Sequence, residues 1–293
     1  MNLPLPASDQ AYWNVSALES GHVRLPLPWL LDNAKEGEVV HVPSLSFLLR
    51  HSFSGDTLVV DLGIRNDWQH LPPLALKSIA DKSVVVDVPQ DVSESLRKGG
   101  MDPADVCYVC LTHVHFDHSG DSTPFANATF ILTEETHALV TPGWPADQSS
   151  RYASDIFPRD RMQVLSTKEW SPLGPFPRTY DLLGDGSLYL VDAPGHVAGH
   201  MNVLARTSAG GGWILFVGDS AHHPKLIRGE AHIADTPRWG CAHADKEKAE
   251  EHIQRIRRLT AVPGVRIMLA HDSEWYADNK DGPAFFPGTL KSL

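Results

Sequence analysis

Short apolar runs separated by turn residues carry most of the periodicity in the chain. SLSFLLRH (44–51) and DTLVVDLG (56–63) flank SFSG and predict a hairpin, and SVVVDV (83–88) predicts a further short strand. In DVSESLRKGG (91–100) Asp91 is placed to cap a helix and the Gly pair to end it. Strands are expected at VCYVCLT (106–112) and TFILT (129–133), with a short helix at EETHALV (134–140). RTYDLLGDGSLYLVDAPGH (178–196) reads as two strands around a Gly-Asp-Gly turn, and MNVLART (201–207) and GGWILFVGDS (211–220) continue as strands. The clearest helix is DKEKAEEHIQRIRRLTAV (245–262), where Ala249, Ile253, Ile256, Leu259 and Val262 recur at three- and four-residue steps. VRIMLAHD (265–272) is the last strand. Hairpins interrupted by occasional helices fit two sheets with helices outside them better than one doubly wound parallel sheet.

No repeat, low-complexity tract or Gly/Ser linker divides the 293 residues, so one domain over 1–293 is expected. The formal net charge of -11 disfavours a nucleic-acid partner, because phosphate binding needs a basic surface. The opening MNLPLPASDQAYWNV lacks the basic and apolar regions of a secretory leader, and no apolar run approaches membrane-spanning length. A cytoplasmic protein without a membrane partner is the expectation. Cys107, Cys110 and Cys241 have no disulfide-framework spacing, which fits a reducing compartment. Cys107 and Cys110 are spaced as C-x-x-C, but positions three apart in a strand face opposite ways, and they are read as core thiols.

One stretch changes the picture. CLTHVHFDHSGD (110–121) crowds three histidines and two aspartates behind an apolar run, and such side chains at a strand end carry a desolvation cost unless something binds them. The other strands repeat the theme: VCYVCLT runs into His113, LYLVDAPG into His196, WILFVG into Asp219 and VRIMLA into His271. Rigid strands hold ligands more accurately than free loops, so the pattern suits a preorganised metal site.

HVHFDH (113–118), the PGH ending at His196, the GD ending at Asp219 and the late His271 together resemble the metallo-β-lactamase superfamily. The resemblance spans most of the chain and implies an α/β (α+β) fold, a four-layer αβ/βα sandwich. It also implies two divalent metal ions. One would take His113, His115 and His196, the second Asp117, His118 and His271, and Asp219 would bridge them. Imidazoles and carboxylates suit zinc, and the same donors accept iron, manganese or cobalt. Two such ions can share a water, lower its pKa and polarise a carbonyl, with Asp117 counted among the catalytic residues as well as the ligands. His200, in PGHVAGH, is placed either to orient a neighbouring ligand or to make a simple structural hydrogen bond. His22, His41, His51, His70, His137, His232, His243 and His252 are read as ordinary solvated or hydrogen-bonded side chains.

Within the superfamily, SLRKGGMDPADVCYVCLTHVHFDHSGD and DAPGHVAGHMNVL look most like the branch that opens acyl-homoserine lactones, some fungal members of which act on cyclic amides and carbamates. The resemblance implies a detoxifying hydrolase for a small cyclic ester or amide, opened by attack of hydroxide on the ring carbonyl. Lactonases of this branch carry a tyrosine three residues after the bridging aspartate, where this chain has His222, with His223 beside it. A histidine ordinarily titrates near neutrality, whereas a phenol does not, so His222 mildly favours a nitrogen leaving group that must be protonated. Phe116, Trp13, Trp29, Trp68, Trp144, Trp239 and Tyr276 offer walls for a flat apolar cleft, although each alone is read as an ordinary core residue. A glyoxalase II-type thioester hydrolase would need a basic patch, and EWYADNKDGPAFFPG offers only Lys280; a single-iron sulfur dioxygenase would need fewer ligands. The sequence leaves the oligomeric state open, a homodimer included.

Overall fold

The computed structural model describes residues 3–293. Its first six-stranded sheet runs in the order Trp13–Leu18, Ser46–His51, Thr57–Val60, Tyr108–Cys110, Thr129–Thr133 and Met162–Leu165. The first three strands pair antiparallel and the rest parallel. The second sheet runs Ser171–Leu173, Phe176–Asp181, Leu188–Asp192, Met201–Arg206, Trp213–Phe216 and Val265–Met268. It is antiparallel until its last pair, which is parallel.

Side-chain alternation sorts these strands into three apolar layers. Leu49, Val60 and Cys110 of the first sheet pack with Leu190, Val203, Phe216 and Met268 of the second, between the sheets. Their chain neighbours Leu48, Val59 and Val109 belong to a cluster with Val92 and Leu96 of helix Val92–Lys98 and Val140 of helix Glu134–Val140. On the opposite side Val191, Leu204 and Leu215 meet Ala249, Ile253, Ile256 and Leu259 of helix Lys246–Thr260. The layers therefore run helix, sheet, sheet, helix, which is the αβ/βα sandwich the motifs imply. Burial of both sheet faces explains why the strands are continuous apolar runs rather than alternating ones.

Local chemistry sets the helix ends. Asp91 accepts from the Glu94 N–H at 2.8 Å while Glu94 accepts from the Asp91 N–H at 2.9 Å, a reciprocal cap, and Gly99 closes the helix. Two readings need correction. SVVVDV contributes only Val85–Asp87, and this strand joins neither large sheet; it pairs with His22–Pro26, which in turn pairs with Val39–Pro43. Cys110 is fully buried, but Cys107 precedes strand Tyr108–Cys110 and is half-buried, so only one of the two is a core thiol.

The loops that follow the strands are tied across the sandwich. Met201 N–H donates to Thr112 O at 2.8 Å, Leu62 N–H to His118 O at 2.8 Å, Leu45 N–H to Ala270 O at 2.9 Å and Ala244 N–H to His196 O at 2.9 Å. The segments of His113, His118, His271 and His196 are thus each fastened to a different element of the fold.

Candidate metal centre and its cavity

Strands ending at Cys110, Asp192, Phe216 and Met268 are followed within a few residues by His113, His196, Asp219 and His271. The one-turn helix Phe116–Ser119 adds Asp117 and His118. Asp219 follows Gly218, whose φ of +48° and lack of a side chain are both required: a Cβ there would stand 2.7 Å from Thr112 Oγ1.

The ligand atoms fall into two groups that meet at Asp219. In the first, His115 Nδ1 lies 3.0 Å from His113 Nε2 and 2.9 Å from His196 Nε2, and Asp219 Oδ2 lies 3.6 and 3.4 Å from those two Nε2 atoms. Four donors about 2.1 Å from a common centre in a tetrahedral site stand roughly 3.4 Å apart, so the spacing fits one ion. In the second group, Asp219 Oδ1 lies 3.2 Å from both His118 Nε2 and His271 Nε2, and Asp117 Oδ2 lies 3.5 Å from His271 Nε2. His118 Nε2 and Asp219 Oδ1 are buried and make no hydrogen bond among the described residues. With Nδ1 of His118 donating elsewhere, two acceptors face one another, and only a proton or a cation between them relieves that contact.

The outer nitrogens of His118, His271 and His113 are anchored. His118 Nδ1 donates to Asp61 Oδ2 at 2.8 Å, and His271 Nδ1 to Pro43 O at 2.7 Å. His113 Nδ1 lies 3.1 Å from Thr112 Oγ1, which itself donates to Asp61 Oδ2 at 2.8 Å. Asp61 also accepts from the Thr112 N–H at 2.6 Å and holds a left-handed φ of 59°. Such partners fix the tautomer that aims Nε2 inward. His200 Nε2 accepts from the Asp219 N–H at 3.1 Å, so this ring orients the shared carboxylate through its backbone. His252 acts one step further out: its Nε2 meets Asn202 Oδ1 at 2.7 Å, and Asn202 donates to Val217 O and Ser220 Oγ on either side of Asp219.

The two groups differ in charge. Burial, with the neighbouring His118, His115 and His196, holds His113 well below the usual histidine range. Burial likewise lowers His196 and brings His115 down to about 4. Burial also works against His118 and His271, but Asp219 outweighs it in both, helped by Asp61 at His118 and Asp117 at His271, and both rings are raised. Asp219 itself is held well below the carboxylate range: burial opposes this, and His118, His271 and His222 overcome it. The first group sets three neutral imidazoles around one oxygen of Asp219; the second sets two imidazoles of raised proton affinity against the carboxylates of Asp219 and Asp117.

A cavity of about 320 Å³ opens onto most of these side chains, with His113 and His118 buried behind its floor. The sequence-predicted residues Asp117, His115, His196, Asp219, His271 and His222 all line it. His222 is buried beside the shared carboxylate, its Nε2 3.2 Å from Asp219 Oδ2, rather than in a polar loop at the rim. His223 points elsewhere, its Nδ1 accepting from the Lys225 N–H as the cap of helix Pro224–Arg228. Of the aromatic candidates, Phe116 and Trp29 line the cavity. Trp13 does not: it sits in a strand rather than a loop, fully buried, with its indole N–H donating to Ser187 Oγ.

Several lining or supporting residues lie outside the sequence-based set. Asp61 directly follows strand Thr57–Val60, as His113 and Asp219 follow theirs within a few residues. His243 is not an ordinary solvated side chain: it is 5% exposed, lines the cavity, and neither ring nitrogen makes a hydrogen bond among the described residues. Its signal, a lone histidine before helix Lys246–Thr260, is invisible without the tertiary fold. Tyr152, stacked at 6.3 Å on His115, and the cations Arg151 and Lys82 also line the space. Lys82 lies over Trp29 and donates to Trp239 O.

A family model for the metallo-beta-lactamase superfamily matches residues 39–271, and the chain belongs to that superfamily. Among curated relatives, Gamma-lactamase FDB1 of Fusarium pseudograminearum (strain CS3096) is 36% identical over 194 residues, 64% of this chain and 47% of that protein. The match therefore spans about half the length of that relative. N-acyl homoserine lactonase AttM of Rhizobium radiobacter is 27% identical over 271 residues, 92% of this chain and 97% of the relative. Among solved structures, a point mutant of B. thuringiensis AiiA, with N-decanoyl-L-homoserine bound at its active site, superposes with a TM-score of 0.73 at 18% identity, covering 95% of this chain and 99% of the other. That likeness is one of fold. Among the described residues no helix is long and apolar enough to cross a membrane.

Proposed function

We propose that the chain is a single-domain, dinuclear metal-dependent hydrolase that opens a small cyclic amide, cyclic carbamate or cyclic ester. The observation that carries this reading is Asp219, whose Oδ2 faces three imidazoles and whose Oδ1 faces two more. His113, His115 and His196 would hold one ion, Asp117, His118 and His271 the other, with Asp219 between them; the donors suit zinc. Two divalent ions there would provide an acidified water and Lewis-acid stabilisation of charge on a carbonyl oxygen.

The chain's own side chains do the rest. Asp61, Thr112 and Pro43 O hold the outer nitrogens of His118, His113 and His271 and so aim the Nε2 atoms inward, and His200 holds the backbone of Asp219. Phe116, Tyr152 and Trp29 give the cavity apolar walls that position a ring and exclude bulk water. His222, on the cavity side of Asp219, hands a proton to the departing ring nitrogen or oxygen. A cytoplasmic setting accords with three free cysteines.

The relatives named gamma-lactamase and homoserine lactonase support both ring classes. The test is a hydrolysis screen of metal-loaded protein against size-matched lactones, lactams, cyclic carbamates and thioesters, with chelator-treated protein as control. Metal-dependent ring opening is expected. A preference for thioesters would replace this reading with the glyoxalase II type, for which Lys82 and Arg151 would then be the cationic contacts. Activity that survives complete metal removal would remove the hydrolase mechanism altogether.

A further inference from the structure

Two buried imidazoles on the cavity wall are not ligands of the dinuclear centre. His222 and His243 stand with ring centroids 4.8 Å apart, and His196 adjoins both, at 4.9 and 5.2 Å. One nitrogen from each of the three lies within 4.8 Å of the others. All three side chains are buried, and His243 lines the cavity with both ring nitrogens unpartnered among the described residues. His196 Nδ1 is unpartnered as well, while its Nε2 faces the floor. Three imidazoles converging in a buried place with so few hydrogen bonds are unfavourable unless something binds them.

We propose that His196, His222 and His243 form a third cation site on the cavity wall, which takes a divalent ion of the zinc, copper or nickel class after the two floor sites are filled. Imidazole donors without a carboxylate select such borderline ions over magnesium, calcium and manganese. The site is the weakest of the three, because His196, which faces the floor through Nε2, must release its Nδ1 proton to solvent and bridge as an imidazolate, and because the ion stands beside two divalent charges. An ion held there occupies the lone pair of His222 and narrows the cavity, so excess zinc inhibits turnover. This goes beyond the dinuclear reading and is separable from it at His243, which belongs to the wall alone, whereas His196 and, through its contact with Asp219, His222 also touch the floor.

Protein loaded with zinc and freed of unbound metal is dialysed against rising Zn2+, with Mg2+ in parallel, and bound metal is counted. The wild type is expected to keep two ions at the outset, to gain a third zinc but no magnesium, and to lose hydrolytic rate over the same zinc range. His243→Gln and His222→Gln should each keep the two tight ions, which also certifies folding, and fail to gain the third. Two tight ions with no third at any zinc concentration, a third ion retained by both variants, or equal uptake of magnesium would overturn the wall site. Fewer than two tight ions in the wild type overturns the dinuclear reading instead. In that case the wall site is overturned separately if His243→Gln binds as much zinc as the wild type.

Discussion

The floor of the cavity takes its side chains from the carboxyl ends of strands, whereas its wall takes them from segments around Leu25–Trp29, Ala75–Val84 and Cys241–Ala244, outside the two large sheets. On the floor, ring after ring is fixed by a partner behind it: Asp61 behind His118, Thr112 behind His113, Pro43 O behind His271. On the wall, His243 has no such partner among the described residues, and Lys82 reaches only a backbone carbonyl and an indole face. The contrast separates two tasks. A catalytic charge centre needs atoms held to a few tenths of an ångström, while a pocket that selects a substrate needs shape and tolerates exchange.

Substitutions should reproduce that division. The largest effect belongs to Asp219→Ala, which removes the carboxylate common to both groups. Both ions should be lost, and hydrolysis should fall by roughly a thousandfold or more, since metal-ion stabilisation is worth several kcal/mol. Retention of both ions with normal turnover in this variant would break the assignment. Next comes His222. His222→Phe should keep the metals and lose roughly a hundredfold or more in rate. His222→Tyr should cost more with a lactam or cyclic carbamate than with a matched lactone; equal losses on the two ring types would remove the leaving-group role.

Asp61→Asn tests the floor's support. With the carboxylate behind His118 weakened, the second ion should bind roughly 10- to 100-fold more weakly, and the first, reached by Asp61 only through Thr112, should lose less, read by chelator competition. An acid titration of metal content sharpens the same asymmetry. His118 and His271 have raised proton affinity and His113, His115 and His196 have lowered affinity, so protons displace metal from the second group at higher pH than from the first. One ion per chain should therefore leave before the other as pH falls, and simultaneous release would contradict the charge difference. The smallest effect is on the wall: Trp29→Ala should raise KM several-fold with kcat nearly unchanged, the pattern of lost uniform binding.

This division also explains what can be read in the amino-acid sequence. Helix Glu134–Val140 and the core face of Lys246–Thr260 follow from local periodicity and caps, and the floor follows from counting metal-competent residues just beyond apolar strands. Asp61 obeys that rule yet stays hidden, because VVDLG reads as an uninterrupted strand until its left-handed φ is known. The three-stranded sheet of His22–Pro26, Val39–Pro43 and Val85–Asp87 rests on pairing between distant segments, which periodicity does not encode. His243 and Lys82 enter the cavity only because those segments fold over it. Apart from His222 and Phe116, which adjoin ligands, the wall is illegible in sequence because it is made by tertiary contact rather than by strand ends.

The most direct measurement is a zinc titration of chelator-stripped protein, following bound metal and hydrolysis of a cyclic amide or ester together. The account predicts that activity rises with metal uptake and reaches its maximum at two equivalents per chain. Full activity at a single equivalent, unchanged by the second, would contradict a centre in which Asp219 joins two ions.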